Sequence, residues 1–161
     1  MFKVWRWFAA SAAIVLVDQI TKQIVLSSFG PGERRVVTEF FNLVLVFNKG
    51  AAFSFLADAG GWQMPLLVCF ALGAAIIVSV LLARSPERRM FCAGLALILG
   101  GAVGNVIDRL RFGHVVDFVD LHAGGWHWPA FNVADSAITL GAALLILEGF
   151  MHHERRARAP S

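Results

Sequence analysis

Four stretches of this chain, at about 7–29, 64–83, 90–107 and 133–151, are apolar with few charges or none. Each approaches the roughly 20 residues that an α-helix needs to cross a hydrocarbon core about 30 Å thick. The composition leaves no other use for them. The chain is 58% hydrophobic and 16% charged with a mean hydropathy of +0.68, whereas an average globular domain is about 45–50% apolar and about 25% charged. The excess apolar surface must face something other than water, which excludes an ordinary soluble domain. At 161 residues the four spans take up about half the chain, so a single integral membrane domain over 1–161 is expected.

The first span follows a short head with Lys3 and Arg6, as a signal peptide would. The pattern nevertheless continues through Asp18 and Lys22 to IVLSSF without a cleavage site, so it reads as a retained helix. The second span is uncharged, and the third, GLALILGGAVGN, is rich in the small residues that let helices approach closely in lipid. Two segments lie outside. In 30–61 the turn PGERR precedes a β-branched, aromatic and polar stretch with partial alternation, which predicts short strands. In 112–130 a polar, aromatic connection carries the turn signals AGGW and WPA.

The basic residues orient this layout. Lys3, Arg6, Arg84, Arg88, Arg89, Arg155, Arg156 and Arg158 fall at the termini and the loop between the second and third spans. The opposite side holds Lys22, Arg34, Arg35, Lys49, Arg109 and Arg111, several beside acids or inside span ends. The positive-inside rule therefore predicts cytoplasmic termini, with both outer segments extracytoplasmic. Trp5 and Trp7 mark one interface, and Trp62, Trp126 and Trp128 the other. The net charge of +3 is scattered at span ends and not gathered in a stripe, so no nucleic-acid partner is expected.

The polar residues near the spans need a reason. Asp18 and Lys22, spaced i, i+4, share a helix face and can pair, either as a structural ion pair or to position a substrate. Asn105, Asp108 and Arg109 share another face at the end of the third span, where an arginine can satisfy terminal carbonyls or hold a peptide backbone. Asn132 and Asp135 have the spacing of an N-cap and its N3 partner. Asp117, in HVVDFVDL, sits on an extended segment with Val119 on its face and Asp120 pointing elsewhere.

Asp117 and Asp135 thus both fall at the outer edge of the apolar region. Carboxyls near hydrocarbon are costly to ionise and two close together tend to share a proton, which suits acid-base chemistry on water. Other chemistries have less behind them. Cys69 and Cys92 read as small buried hydrophobes, and the histidines show no metal-binding spacing. Ser54 and Lys49 share an outer segment, but no motif places a base beside a nucleophile. A non-catalytic reading is a small proton-coupled transporter that uses the same carboxylates as a relay, although the two halves show no repeat.

The ordered motifs DQITK (18–22), FNKGAAFSF (47–55), GNVIDR (104–109), GHVVDF (113–118) and FNVADS (131–136) resemble those of the bacterial lipoprotein signal peptidases, or signal peptidase II. The resemblance covers essentially the whole chain. It implies a mainly α membrane protein with four transmembrane helices, a small extracytoplasmic β-cradle and a second outer loop. It also implies an aspartyl endopeptidase of the inner membrane that cuts prolipoproteins before a diacylglyceryl-modified cysteine and needs no cofactor. On the matching positions, Asp117 and Asp135 are the implied catalytic pair, and Asn48, Asn105, Arg109 and Asn132 the implied contacts to substrate or to globomycin-like peptide antibiotics. Asp18, Lys22 and Asp108 are the implied supporting polar residues.

Overall fold

The computed structural model describes residues 2–50 and 60–157, and Ser54 lies outside them. The described elements are α1 (Phe2–Ser28), β1 (Arg34–Thr38), β2 (Phe41–Asn48), α2 (Gln63–Arg84), α3 (Arg89–Phe112), β3 (Val115–Ala123), β4 (Trp126–His127) and α4 (Val133–Ala157). Four of these helices contain spans long and apolar enough to cross a membrane: Val4–Ser28, Gln63–Arg84, Arg89–Phe112 and Val133–Met151. α3 is the central helix. Over half of its span is buried (56%), against 17–22% in the others.

Small residues explain why α3 can be central. An added Cβ at Gly101 would strike the backbone carbonyl of Ala134 on α4, and one at Gly104 would lie 2.6 Å from Asp18 Oδ2 on α1. Without a hydrophobic force to drive helices together in lipid, this close approach supplies the packing. α1 is inside-out relative to a soluble helix. Ser11, Asp18, Lys22 and Val25 recur at helical spacing on its buried side, while Leu16, Val17, Ile20 and Ile24 are exposed.

Helix α3 runs past the expected span end near Ile107 and continues through Phe112, where Asp108 turns inward to partners and Gly113 closes the helix by donating its N–H to the Arg109 carbonyl. One sequence expectation is corrected. Cys92 is buried as expected, but Cys69 is exposed. α2 is apolar all round and buries only Gln63, Val68, Val78 and Leu82, so its apolar character does not mark which side faces protein.

The strands form one antiparallel sheet in the order β1-β2-β3-β4. β1 and β2 are a hairpin, whereas β2 and β3 pair across the second and third spans, with Val46 opposite Asp117 and Asn42 opposite Asp120. The sheet joins the helices through the buried cluster of Val25, Leu45, Val116 and Phe118, which fixes the depth of Asp117.

Gly101→Ala is predicted to destabilise the protein by about 1–3 kcal/mol through overpacking. Gly73→Ala, where nothing lies within 4 Å, serves as the neutral control. Thermal unfolding in detergent measures both, and equal midpoints would contradict the close α3–α4 packing.

Candidate active site

At the N-terminus of α4 the expected capping arrangement is present in full. Asn132 Oδ1 accepts the Asp135 N–H at 2.9 Å, and Asp135 Oδ2 accepts the Asn132 N–H at 3.2 Å. This satisfies amides that a helix start otherwise leaves open. The other side of the Asn132 amide faces β3. Its Nδ2 lies 2.7 Å from Asp117 Oδ1, 3.2 Å from the Val116 carbonyl and 3.3 Å from Asn105 Oδ1. One fully buried asparagine therefore bonds to both sequence-predicted aspartates.

Each aspartate has a second amide partner. Asn48, at the end of β2, donates to Asp117 Oδ2 at 3.1 Å. Asn105, on α3, donates to Asp135 Oδ1 at 2.8 Å. Arg109 reaches the carbonyl of Gly50 at 2.9 Å, and the Gly50 N–H bonds back to Asn48 Oδ1 at 2.9 Å. The polar residues singled out in sequence thus converge from β2, β3, α3 and α4.

Beneath them lies a buried ionic cluster. Lys22 Nζ is 2.9 Å from Asp18 Oδ2, 2.8 Å from Asp108 Oδ2 and 3.0 Å from Asn105 Oδ1. Asp18 Oδ1 accepts the N–H of Ala134 at 2.9 Å, and Asp108 Oδ2 accepts that of Val116 at 3.1 Å. Gln19 was not singled out in sequence, yet its Nε2 reaches Asp108 Oδ1 at 2.8 Å and Asp18 Oδ2 at 3.2 Å. Its position next to Asp18, three residues before Lys22, was the available signal. Asp120 belongs elsewhere, as expected: it accepts from Asn42 at 2.7 Å and lies 2.7 Å from His127 Nδ1. Arg111 is exposed.

A cavity of about 740 Å³ opens beside Asp135. Asn48, Asn105, Arg109, Asp135, Ser136 and Thr139 supply its polar lining. Its apolar lining comes from Leu67, Phe70, Ala71 and Ala74 of α2, Ile98 and Ala102 of α3, Ile138 and Leu140 of α4, and the stretch from Trp128 to Phe131. Such a shape takes a ligand with a long apolar portion and a polar group to be aligned.

Burial pushes the Asp117 carboxyl up to about 7, and the charge of Asp135 adds to the effect against the hydrogen bonds from Asn48 and Asn132 and the charge of Lys22. A carboxyl at this value holds its proton through much of the range in which acid-base catalysis operates.

The chain is similar in sequence to known proteins and in fold to solved structures. A model of the family described as "Signal peptidase (SPase) II" matches residues 10–151. A lipoprotein signal peptidase of Janthinobacterium sp. (strain Marseille) is 58% identical over 142 residues, covering 88% of this chain and 86% of its own length. One from Paraburkholderia phymatum is 55% identical with the same coverage. A solved bacterial membrane enzyme aligns with a TM-score of 0.85 at 27% identity, over 97% of this chain and 94% of its own. A second aligns with a TM-score of 0.76 at 29% identity, over 88% and 90%.

The raised Asp117 has a consequence for stability. Its carboxyl lies at about 7 in the folded chain against 3.8 as the ordinary value, so its contribution is fully present below about pH 4 and is lost as pH rises through about 7. Thermal midpoints measured from about pH 5 to about pH 9 should fall in this range, and the fall should be smaller in Asp117→Asn. Parallel curves for the two proteins would exclude a titrating Asp117.

Proposed function

The chain belongs to the signal peptidase II family, and we propose that it is an aspartyl endopeptidase that removes signal peptides from diacylglyceryl-modified prolipoproteins, with Asp117 and Asp135 as its catalytic pair. The family and the four apolar helices make it a multi-pass protein of the bacterial inner membrane. The observation that carries the assignment is Asn132, which bonds to both aspartates where one of them, Asp135, borders the cavity.

In the proposed reaction one carboxylate takes a proton from water as it attacks the scissile carbonyl carbon. The other, protonated, donates to the carbonyl oxygen. As the tetrahedral intermediate collapses the roles reverse, and the leaving amine takes the proton. The pair shares one proton and titrates as a unit, and such acid-base assistance contributes about 10²–10⁴-fold in rate. Because both oxygens of each aspartate accept amide hydrogen bonds, their orientation is set before substrate arrives, which spares ordering it during reaction.

The remaining polar residues have places in this scheme. Asn48, Asn105 and Arg109 line the cavity and are proposed to contact the substrate backbone, with Asn132 behind them holding the pair. Asp18, Lys22 and Asp108 support them from below. The apolar lining suits the signal segment and the acyl chains, each buried CH₂ of which contributes about 0.8 kcal/mol to holding the cysteine at membrane depth. Globomycin-like peptides, apolar with a polar backbone, are expected to compete for the same cavity. The active site would face the outer surface with both termini in the cytoplasm, since the sheet and the aspartates lie at the end of the bundle opposite Arg6, Arg84, Arg88 and Arg89.

Asp117→Asn and Asp135→Asn should each abolish cleavage of a purified diacylglyceryl-modified prolipoprotein while the protein still inserts and unfolds cooperatively, and globomycin should block the wild type. Near wild-type turnover by both variants would rule out the pair. Rapid cleavage of an unlipidated soluble peptide would rule out the role given to the acyl chains.

A further inference from the structure

Lys22 is 2% exposed, and its ammonium has three acceptors for its three hydrogens. Each of the three leads to an aspartate of the proposed pair. Asp18 also binds the N–H of Ala134, the residue before Asp135. Asp108 also binds the N–H of Val116, the residue before Asp117. Asn105 turns its Oδ1 to Lys22 and so presents its Nδ2 to Asp135.

The last contact is directional. An asparagine amide has one accepting and one donating end, and an ammonium can only donate. With Lys22 in place the donor end of Asn105 faces the carboxylate; with the amide turned over, an acceptor oxygen would face Asp135 and repel it. The ion pairs and the Asn105 contact thus hold the amide, the start of α4 and the start of β3 relative to one another. We infer that Lys22 is a positioning residue for the peptidase reaction, orienting Asn105 toward Asp135 and tying together the two backbone segments that carry the aspartates. This rests on the reading of Asp117 and Asp135 as the catalytic pair.

The charge of Lys22 reaches the pair as well. The charged groups around Asp117 are Asp18 and Lys22 from α1, Asp108 and Arg109 from α3, and Asp135 from α4, while β2 presents the neutral Asn48. Lys22 and Arg109 are the cations of this set, and Lys22 opposes protonation of Asp117. Removing that charge strengthens proton binding, so the loss of rate on the acid side begins at a higher pH.

The test is the pH dependence of kcat and KM for full-length Lys22→Gln acting on a diacylglyceryl-modified prolipoprotein, beside wild type and Asp117→Asn. Expected is a kcat lowered by about a hundredfold with KM little changed, and a pH profile moved up by about one unit. A role confined to folding would leave the profile of the folded enzyme in place, so a Lys22→Gln profile that superimposes on wild type after scaling overturns the inference. Where Lys22→Gln does not accumulate, Lys22→Gln with Asp108→Asn removes a positive and a negative group together and is read by turnover alone: a kcat lowered by about a hundredfold with KM little changed is expected, and a wild-type kcat overturns the inference. Wild-type turnover by Asp117→Asn would instead remove the catalytic pair itself, and this role for Lys22 with it.

Discussion

The buried ammonium of Lys22 is the constraint on which the outer half of the molecule depends. A cation in an apolar span is costly unless it is paired and fully hydrogen-bonded, and here two carboxylates and an amide oxygen meet that demand. Those partners come from α1 and α3, and the two carboxylates also bind the first turn of α4 and the first residues of β3, Asp18 through its other oxygen and Asp108 through the same one. Four elements are thereby held at one point. Removing one member of a buried ion pair typically costs about 3–5 kcal/mol, because the other is left without compensation.

That constraint also explains the unusual organisation of α1 and α3. With the polar face of α1 turned inward, the apolar residues on its outer side can face lipid. The two helices must then come close enough for side chains as short as aspartate and asparagine to meet, which is why Gly104 stands beside Asp18. Close packing and the polar cluster depend on each other. A larger residue at 104 would not merely crowd the interface but push Asp18 off the ammonium and off the Ala134 amide.

The large-scale architecture was legible in the sequence because span length and composition are properties of contiguous residues. The paired Asp18 and Lys22 and the capped Asn132 and Asp135 were legible for the same reason, since helical spacing brings them together. Pairing of β2 with β3 was not, because it joins Val46 to Asp117 across two helices. Nor was the contact between Lys22 and Asn105, separated by 83 residues. The continuation of helix α3 past Ile107 was not legible, because Asp108 and Arg109 look like the end of a span until their inward partners are known. Cys69 was misjudged because hydropathy reports an apolar environment without distinguishing protein from lipid.

Capping and catalysis were alternative explanations of Asp135 in the sequence, and in the structure the cap and the contacts of the proposed pair are parts of one arrangement. The cap uses one side of the Asn132 amide and Asp135 Oδ2, leaving the Asn132 Nδ2 for Asp117 and Asp135 Oδ1 for Asn105. A residue that starts a helix is fixed by backbone hydrogen bonds, so its side chain costs less to order than one on a flexible loop. Placing one member of the proposed pair at N3 and bonding the other to the N-cap side chain therefore couples their relative position to the integrity of α4. The interaction that ends the loop and begins the helix is the same one that brings Asp117 to Asp135.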